Sequence, residues 1–485
     1  MAQSNDTSHL VKMNFSSQSA LDFVLISQEY SPHAPGRWPS ASIPTTPNAV
    51  GSQSWMQFSW AQVAFTLIVI WPLIVAILRH SRERQRMKRF NFPTRDSFAK
   101  MTVRDAWAIQ LDLMDTETSF FFMLALKFAI FSVNGIPSIS SLLVRTNKLP
   151  SERVHLRYSM TSVMIAEFLA FPPDDERALQ AISRMNNIHQ TYQRAGQISN
   201  DDLLYTLGLF AYLPVRWVGK YDWRELTDME KCALGTFWKD IGDCMEIDYS
   251  QLPSSKTGWK DGLHWLEDVT KWGDQYEEKN MVPCASNQLV ALSAIGIILY
   301  IVPDFLKPTA KKMIFALLED RMIKALMYVY RQLFCLCTSL YSNHLYTAYR
   351  LPESSKLYKI SLKTILNARR FIVRYFFPPR PSCMRFQPLS TKADKDGRYY
   401  LQTYDSKPFY IKPTISSRWF SPAAIIRRVL GLPLPGDNGN EYCPRGYRLE
   451  ELGPSWILAK KTINQDVKIA RQRLDQNHTT GCPFG

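Results

Sequence analysis

The 485-residue sequence predicts an all-α protein, with a single N-terminal transmembrane helix, a large helical bundle and an extended C-terminal tail. Three observations support this fold class. Residues 58–78 form an uncharged apolar run, helix-start signals recur between residues 91 and 330, and strand patterns are sparse. A composition of 46% apolar and 13% aromatic residues excludes a mainly disordered chain.

The first predicted element is the run FSWAQVAFTLIVIWPLIVAIL, 21 residues without a charge. As a helix it is roughly 30 Å long, about the thickness of a bilayer's hydrocarbon core. The following stretch, residues 79–89, contains six Lys or Arg and one Glu. The positive-inside rule places this flank in the cytosol and residues 1–57 in the lumen. A buried soluble helix is the alternative, and a signal peptide is disfavoured because its basic flank would precede the apolar run.

The predicted lumenal tail is polar and rich in Ser and Pro, and it contains glycosylation sequons at Asn5 and Asn14. The chain has eight Cys with no CxxC pair, a pattern typical of reduced thiols in a cytosolic domain.

Residues 79–377 predict a cytosolic helical domain. Thr102 with Asp105, and Thr227 with Glu230, have the spacing of helix N-caps, and Ser199 precedes another helix. The apolar segments at 119–133 and 203–215 are expected to be core helices and walls of an apolar channel. Residues 378–485 are dense in Pro, Gly and aromatics, so this C-terminal extension is expected to be extended and to wrap across the helical domain or lie on the membrane surface.

One histidine stands out in the predicted bundle. His189 belongs to a stripe of residues, from Ala178 to Tyr192, that recur at spacings of three and four. Such a stripe is the inward face of an amphipathic helix, so His189 is expected to face the core of the protein. From these residues alone, a hydrogen-bonded core histidine is favoured over a metal ligand. A lone imidazole in an apolar bundle also suits the axial position of haem iron, whereas zinc and non-haem iron usually need two or three protein ligands.

Other functional classes have little support. The sequence contains no GxSxG, Walker, GxGxxG or HExxH motif. The net charge of +15 suggests an anionic partner, but the densest basic stretch directly follows the predicted span. Its position is better explained by membrane topology and anionic lipid contact than by nucleic-acid binding.

Several stretches resemble the MpaB-type endoplasmic-reticulum-bound oxygenases of fungal mycophenolic acid biosynthesis, a family related to the latex-clearing rubber oxygenases. They include FNFPTRDSFAKMT, GIPSISSLLVRT, LPSSKTGWKDGLHWLEDV and LPLPGDNGNEYCPRGYR, in the same order. The resemblance implies a single-span protein of the endoplasmic reticulum with a cytosolic all-α domain. It also implies oxidative cleavage of a C=C bond in a prenyl side chain, with O2 and haem b. A degenerate relative that binds prenylated intermediates and scaffolds pathway enzymes is the alternative.

The resemblance also implies roles for particular residues. His189 is similar to the proximal haem ligand of the rubber oxygenases. Arg157 and Thr161, in RYSMT, have the spacing of an Arg and a Thr that flank the haem pocket there. Arg216 and Lys239 are expected to contact haem propionates or, equally, to form structural ion pairs.

The sequence departs from these relatives in three places. Met160 stands where rubber oxygenases carry a Lys, and their proton-handling Glu has no clear equivalent here. Residues 329–349 are longer than the fungal pattern, which indicates either an apolar insertion that touches the membrane or a retained intron. We favour the second, which sequencing of the transcript would test.

Overall fold

The computed structural model describes residues 59–146, 151–327, 356–381, 384–385, 387–454 and 484. Within these residues it contains helices and isolated β-bridges but no β-strand, which confirms the all-α prediction. The helices are α1 (Trp60–Phe90), α2 (Arg95–Phe98), α3 (Val103–Asp112), α4 (Ser119–Ser132), α5 (Pro137–Thr146), α6 (Ser151–Ala170), α7 (Glu176–Arg194), α8 (Asn200–Tyr221), α9 (Asp228–Cys244), α10 (Gly262–Asn280), α11 (Ala285–Ile298), α12 (Lys307–Leu317), α13 (Asp320–Met327), α14 (Lys356–Tyr375) and α15 (Pro422–Val429).

Some predictions lie outside the described residues. These are the lumenal tail, with its sequons at Asn5 and Asn14, and the insertion at residues 329–349.

Local capping signals start the helices where the sequence predicts. Thr102 accepts a hydrogen bond from the amide of Asp105 at the start of α3. Thr227 and Glu230 form a reciprocal capping box on α9, and Ser199 caps α8. Each cap satisfies a backbone N–H that has no partner within its own helix, so these boundaries are set by local chemistry.

The core is built on α8 and α9. Helix α9 packs against α3 and α10, and α8 packs against α4 and α10. Helix α4 has several buried phenylalanines, including Phe121, Phe122 and Phe128. Their burial agrees with the prediction that residues 119–133 form a core helix. Helix α4 packs directly on α8, with the Phe128 and Trp217 rings 4.5 Å apart. An apolar channel with these two helices as walls stays a prediction.

Helix α1 runs from the predicted span straight through the basic flank. Phe65, Ile68 and Leu73 are exposed apolar side chains, whereas Arg79 and Arg86 in the flank are buried. Among the described residues, no single helix passes a length-and-hydropathy test for crossing a membrane. Two bent pairs pass it together: Val103–Glu117 with Ser119–Gly135, and Gly262–Asn280 with Ala285–Ile298.

Arg86 lies in a buried cluster of charged side chains. Its guanidinium is 2.7 Å from Asp112, 2.7 Å from Glu117 and 2.6 Å from Glu230. Arg224 approaches the same two glutamates at 2.7 Å. Burial alone would raise the pKa of Glu230, but the hydrogen bonds and charge of Arg224 and the charge of Arg86 lower it. The Glu230 carboxyl is therefore ionised at neutral pH, and the cluster joins α1 to α3 and α9.

The C-terminal extension packs on α6 and α7. Glu167 Oε1 accepts hydrogen bonds from Arg177 at 2.6 Å and from the Tyr447 hydroxyl at 2.5 Å. The Arg177 guanidinium also lies 3.9 Å from the Phe171 ring centre and 3.8 Å from that of Tyr399. Despite these partners, burial raises the pKa of the Glu167 carboxyl.

The extension differs from the predicted extended tail because it contains a helix, α15. Around this helix the chain forms isolated bridges, such as Leu389 with Leu401 and Tyr399 with Tyr447. Proline and glycine limit regular ladders here, so side-chain contacts hold the extension in place.

We expect Glu230→Gln to lower the free energy of unfolding by about 3 kcal/mol, because it removes one of the three carboxylates that face the buried guanidinium groups of Arg86 and Arg224. Chemical denaturation of the detergent-solubilised chain at neutral pH measures this. The folded pKa of Glu230 lies below its ordinary value, so its contribution is present above the unfolded pKa, about 4.3, and is lost as pH falls through the folded pKa.

The matched control is Asp174→Asn, which breaks the exposed pair with Arg104. We expect it to cost less than about 1 kcal/mol. Equal losses in the two variants would contradict a special role for the buried cluster.

We expect Tyr447→Phe to lower the free energy of unfolding by about 1.5–3 kcal/mol, because it removes a hydrogen bond to a buried carboxyl group. Limited proteolysis should also release the extension faster. Tyr399→Phe is the control, since it keeps the ring that faces Arg177. If Tyr447→Phe leaves the rate of proteolytic release unchanged, contacts other than the Tyr447 hydroxyl hold the extension.

Candidate functional site

The residues expected to surround a haem lie mainly on a helical hairpin of α6 and α7. A short turn joins the helices, and Glu167 on α6 pairs with Arg177 on α7 across it. Arg157 and His189 are equally far along the chain from the middle of this turn. Because an α-helix rises 1.5 Å per residue, the two lie at about the same level of the hairpin. The proximity of Tyr192 on α7 to the Arg157 guanidinium agrees with this register.

His189 is half-buried on α7, and its stripe begins in the core with Ala178 and Ile182. Its Nδ1 atom is shielded from solvent and has no hydrogen-bond partner among the described residues. Burial lowers the pKa of the ring to about 4. The imidazole is therefore neutral at physiological pH and keeps the lone pair that a metal ligand needs. A shielded ring nitrogen without a partner is unfavourable, and a bound group would relieve this cost.

Arg157 is half-buried on α6, where its Nη1 donates to Thr146 Oγ1 at 3.0 Å. Burial lowers the pKa of its guanidinium, and Tyr192 opposes this shift. Thr161 lies about one turn further along α6 and is also half-buried. Met160, beside it, packs against the core. The hairpin thus brings Arg157 to the level of His189 and places Thr161 one turn closer to the connecting turn.

Arg216 and Lys239 already have acidic partners. Arg216, on α8, is 2.7 Å from both oxygens of Asp274 on α10. Lys239 donates to Asp243 within α9 at 2.8 Å. Asn186, one turn before His189, donates to a backbone carbonyl at the end of α9 at 2.5 Å. Helix α9 therefore reaches the hairpin. The contacts of Arg216 and Lys239 agree with the ion-pair interpretation of these two residues.

Glu167 is a buried carboxyl that the sequence analysis did not identify. It lies ten residues after Arg157, about 15 Å further along the helix. Its Oε2 has no hydrogen-bond partner within the described part of the chain. Its other oxygen holds the C-terminal extension, so its position assigns it to packing rather than to the level of His189. One charge inside the apolar stretch VMIAEFLAF was the available signal.

The described residues offer few groups of side chains that could bind a metal ion. In the ranges that the structure describes, no three His, Cys, Asp or Glu side chains group together as a metal site. Structural zinc and non-haem iron sites usually need several protein ligands, whereas haem iron can be held by one axial histidine. The donor set around His189 therefore fits haem better than a bare ion.

Two surface clefts lie away from His189. One, of about 480 Å³, runs along α1 beside His80, Glu83 and Met87. The other, of about 680 Å³, lies between the start of α8 and the C-terminal half of α10, and it is lined by residues that include Asp201 and Tyr276. Neither cleft is lined by the residues of the hairpin, so the candidate site rests on the side chains of α6 and α7.

Comparison with known proteins assigns the family. No protein-family model matches the chain. The chain is 36% identical over 426 residues to the ER-bound oxygenase mpaB′ of Penicillium brevicompactum, an alignment covering 88% of this chain and 95% of the relative. It is 35% identical over 388 residues to the ER-bound oxygenase mpaB of the same organism, with 80% and 86% covered. The mpaB oxygenase of Penicillium roqueforti (strain FM164) is 42% identical over 271 residues, with 56% and 91% covered. The chain therefore belongs to the MpaB family of ER-bound oxygenases.

Proposed function

We propose that this oxygenase cleaves a C=C bond in the prenyl side chain of a terpenoid or meroterpenoid intermediate, with O2 and haem b held by His189. The observation that carries the proposal is the shielded Nδ1 of His189, which lacks a partner among the described residues and belongs to a neutral ring. The names of the relatives, all ER-bound oxygenases, support the reaction class.

His189 fits the group chemically. A neutral imidazole can offer one nitrogen to the iron and its other nitrogen to a hydrogen bond that orients the ring. Haem, when bound, supplies the one-electron and O2 chemistry that amino-acid side chains lack. One O2 and one C=C bond give two carbonyl groups, so the atoms balance without an added reductant.

Arg157 and Thr161 have positioning roles in this proposal. A guanidinium has five N–H donors in a fixed plane, and the Arg157 group directs one of them at Thr146. In this proposal, Arg157 contacts a propionate or a polar group of the substrate at the level of His189. The Thr161 hydroxyl can donate or accept one hydrogen bond one turn away. Both side chains are half-buried, which strengthens their polar contacts.

Attachment to the endoplasmic reticulum is assigned to α1. Its exposed apolar side chains include Phe65, Ile68, Leu73 and Ile77, and exposed groups of this kind are stable in lipid rather than in water. With the basic flank in the cytosol, the helical domain faces the cytosol and residues 1–57 face the lumen. A prenylated substrate would then reach the domain from the lipid phase.

We expect the detergent-solubilised wild-type chain to show a Soret absorption band, and His189→Ala to lose or shift it, because the variant lacks the axial nitrogen. His264→Ala is the matched control, since that ring lies on α10 and is hydrogen-bonded to Ser254. Circular dichroism confirms that both variants are folded. If the wild-type chain shows neither a Soret band nor bound iron, haem binding is refuted. If the band is unchanged in His189→Ala, the axial ligand is a residue other than His189.

We expect Arg157→Gln and Thr161→Val to lower oxygen uptake with a farnesyl-bearing substrate by about 10- to 100-fold, as supporting residues around a metal site do. Because neither residue ligates iron in this proposal, the Soret band should remain. Arg145→Gln, an exposed arginine on neighbouring α5, should leave oxygen uptake unchanged. Full activity in both hairpin variants would remove these two residues from the site.

A further inference from the structure

We infer that α14 is a second membrane contact, which lies on the surface of a bilayer that contains anionic phospholipid. The inference rests on the proposed membrane anchor α1, because α14 lies beside that helix. The 20 residues of α14, KLYKISLKTILNARRFIVRY, contain six Lys or Arg and no acidic residue. Helices with one apolar face and one cationic face are typical of the membrane interface.

One side of α14 holds it on the protein. Leu362 is buried, and Tyr358 lies under the ammonium group of Lys312 on α12 at 5.2 Å. The Arg369 guanidinium lies 4.5 Å from the ring centre of Phe121. Leu362 and Arg369 are seven residues apart, or two helical turns, so these contacts lie on one face.

The opposite side of α14 exposes large apolar side chains. Leu357 is 74% exposed, Ile360 61% and Phe371 57%. At about 100° per residue, these three lie within an arc of roughly 60° that points away from Leu362. An exposed apolar surface of this kind marks an interaction site rather than a solvated helix face.

The cations form a separate stripe between these two faces. On the same helical projection, Lys356, Lys359, Lys363, Arg370 and Arg374 lie within roughly 60° of one another. Lys359 pairs with Asp320 at 2.9 Å. An anionic surface matches this stripe, whereas a second copy of the same helix would bring the cations together.

The position of α14 fits a bilayer surface. Trp71 on α1 donates from its indole N–H to the backbone carbonyl of Phe376 at 2.9 Å, and Arg79 donates to that of Phe377 at 2.9 Å. The end of α14 therefore lies level with the last two turns of the proposed span and the start of the basic flank. Phe376 and Phe377 are themselves exposed. The apolar surface of α1 thus continues onto α14.

The test is hydrogen exchange of residues 356–375 in the full chain, reconstituted in nanodiscs of phosphatidylcholine alone or mixed with phosphatidylserine. We expect exchange about tenfold slower in the anionic discs, with the difference shrinking at high salt. Replacing Lys356, Lys363, Arg370 and Arg374 by Gln should abolish the difference. The matched control replaces four exposed lysines elsewhere, Lys256, Lys260, Lys271 and Lys279, and should keep it.

Equal exchange of α14 in both kinds of disc would overturn the inference. Protection that rises with protein concentration and needs no anionic lipid would also overturn it, in favour of self-association. A second measurement shows whether α1 anchors the chain. If α1 does not insert into the bilayer, the chain elutes separately from phosphatidylcholine discs. In that case, anionic vesicles added to the same chain test α14 directly by the same exchange.

Discussion

The burial of Arg86 constrains the whole helical domain. A buried cation is unfavourable unless carboxylates surround it, so Asp112, Glu117 and Glu230 have to be held at its guanidinium. These carboxylates come from the end of α3, from the π-helical turn Leu113–Glu117 and from the capping box of α9. The ion pairs of Arg86 therefore join α1, the proposed membrane helix, directly to the helical core.

The same logic applies to the hairpin that carries His189. The C-terminal extension holds α6 through Glu167 and Tyr447, and it holds α7 where Arg184 donates to the backbone carbonyl of Leu452 at 2.6 Å. Gly453, with φ of +105°, packs against Ile188, where an added Cβ would lie 2.8 Å from the side chain. The extension therefore contacts the residue next to His189. Through these contacts the extension fixes the helix that carries the His189 ring.

What the sequence could predict follows from the range of each interaction. Caps such as Thr227 with Glu230 are local, and the inward stripe of α7 is periodic, so both can be read from spacing. The partners of Arg86 are separated from it by up to 144 residues, and those of Glu167 by up to 280. No spacing rule covers contacts of that range. The sequence could place His189 on an inward face. It could not show that Nδ1 lacks a hydrogen-bond partner among the described residues, because that depends on which side chains of other helices lie nearby.

The partners of the basic residues show which of them could bind anionic lipid. The densest basic stretch of the sequence suggested contact with anionic lipid, yet Arg79 donates to the carbonyl of Phe377 and Arg86 is enclosed by carboxylates. These two cations hold the protein together, whereas Arg84, Lys88 and Arg89 of the same stretch are exposed. The cations of α14 lie on a flank that faces outward beside an exposed apolar surface. In the two proposals made here, the basic flank of α1 sets the orientation of the span, and α14 lies on the lipid surface from which a prenyl chain would enter.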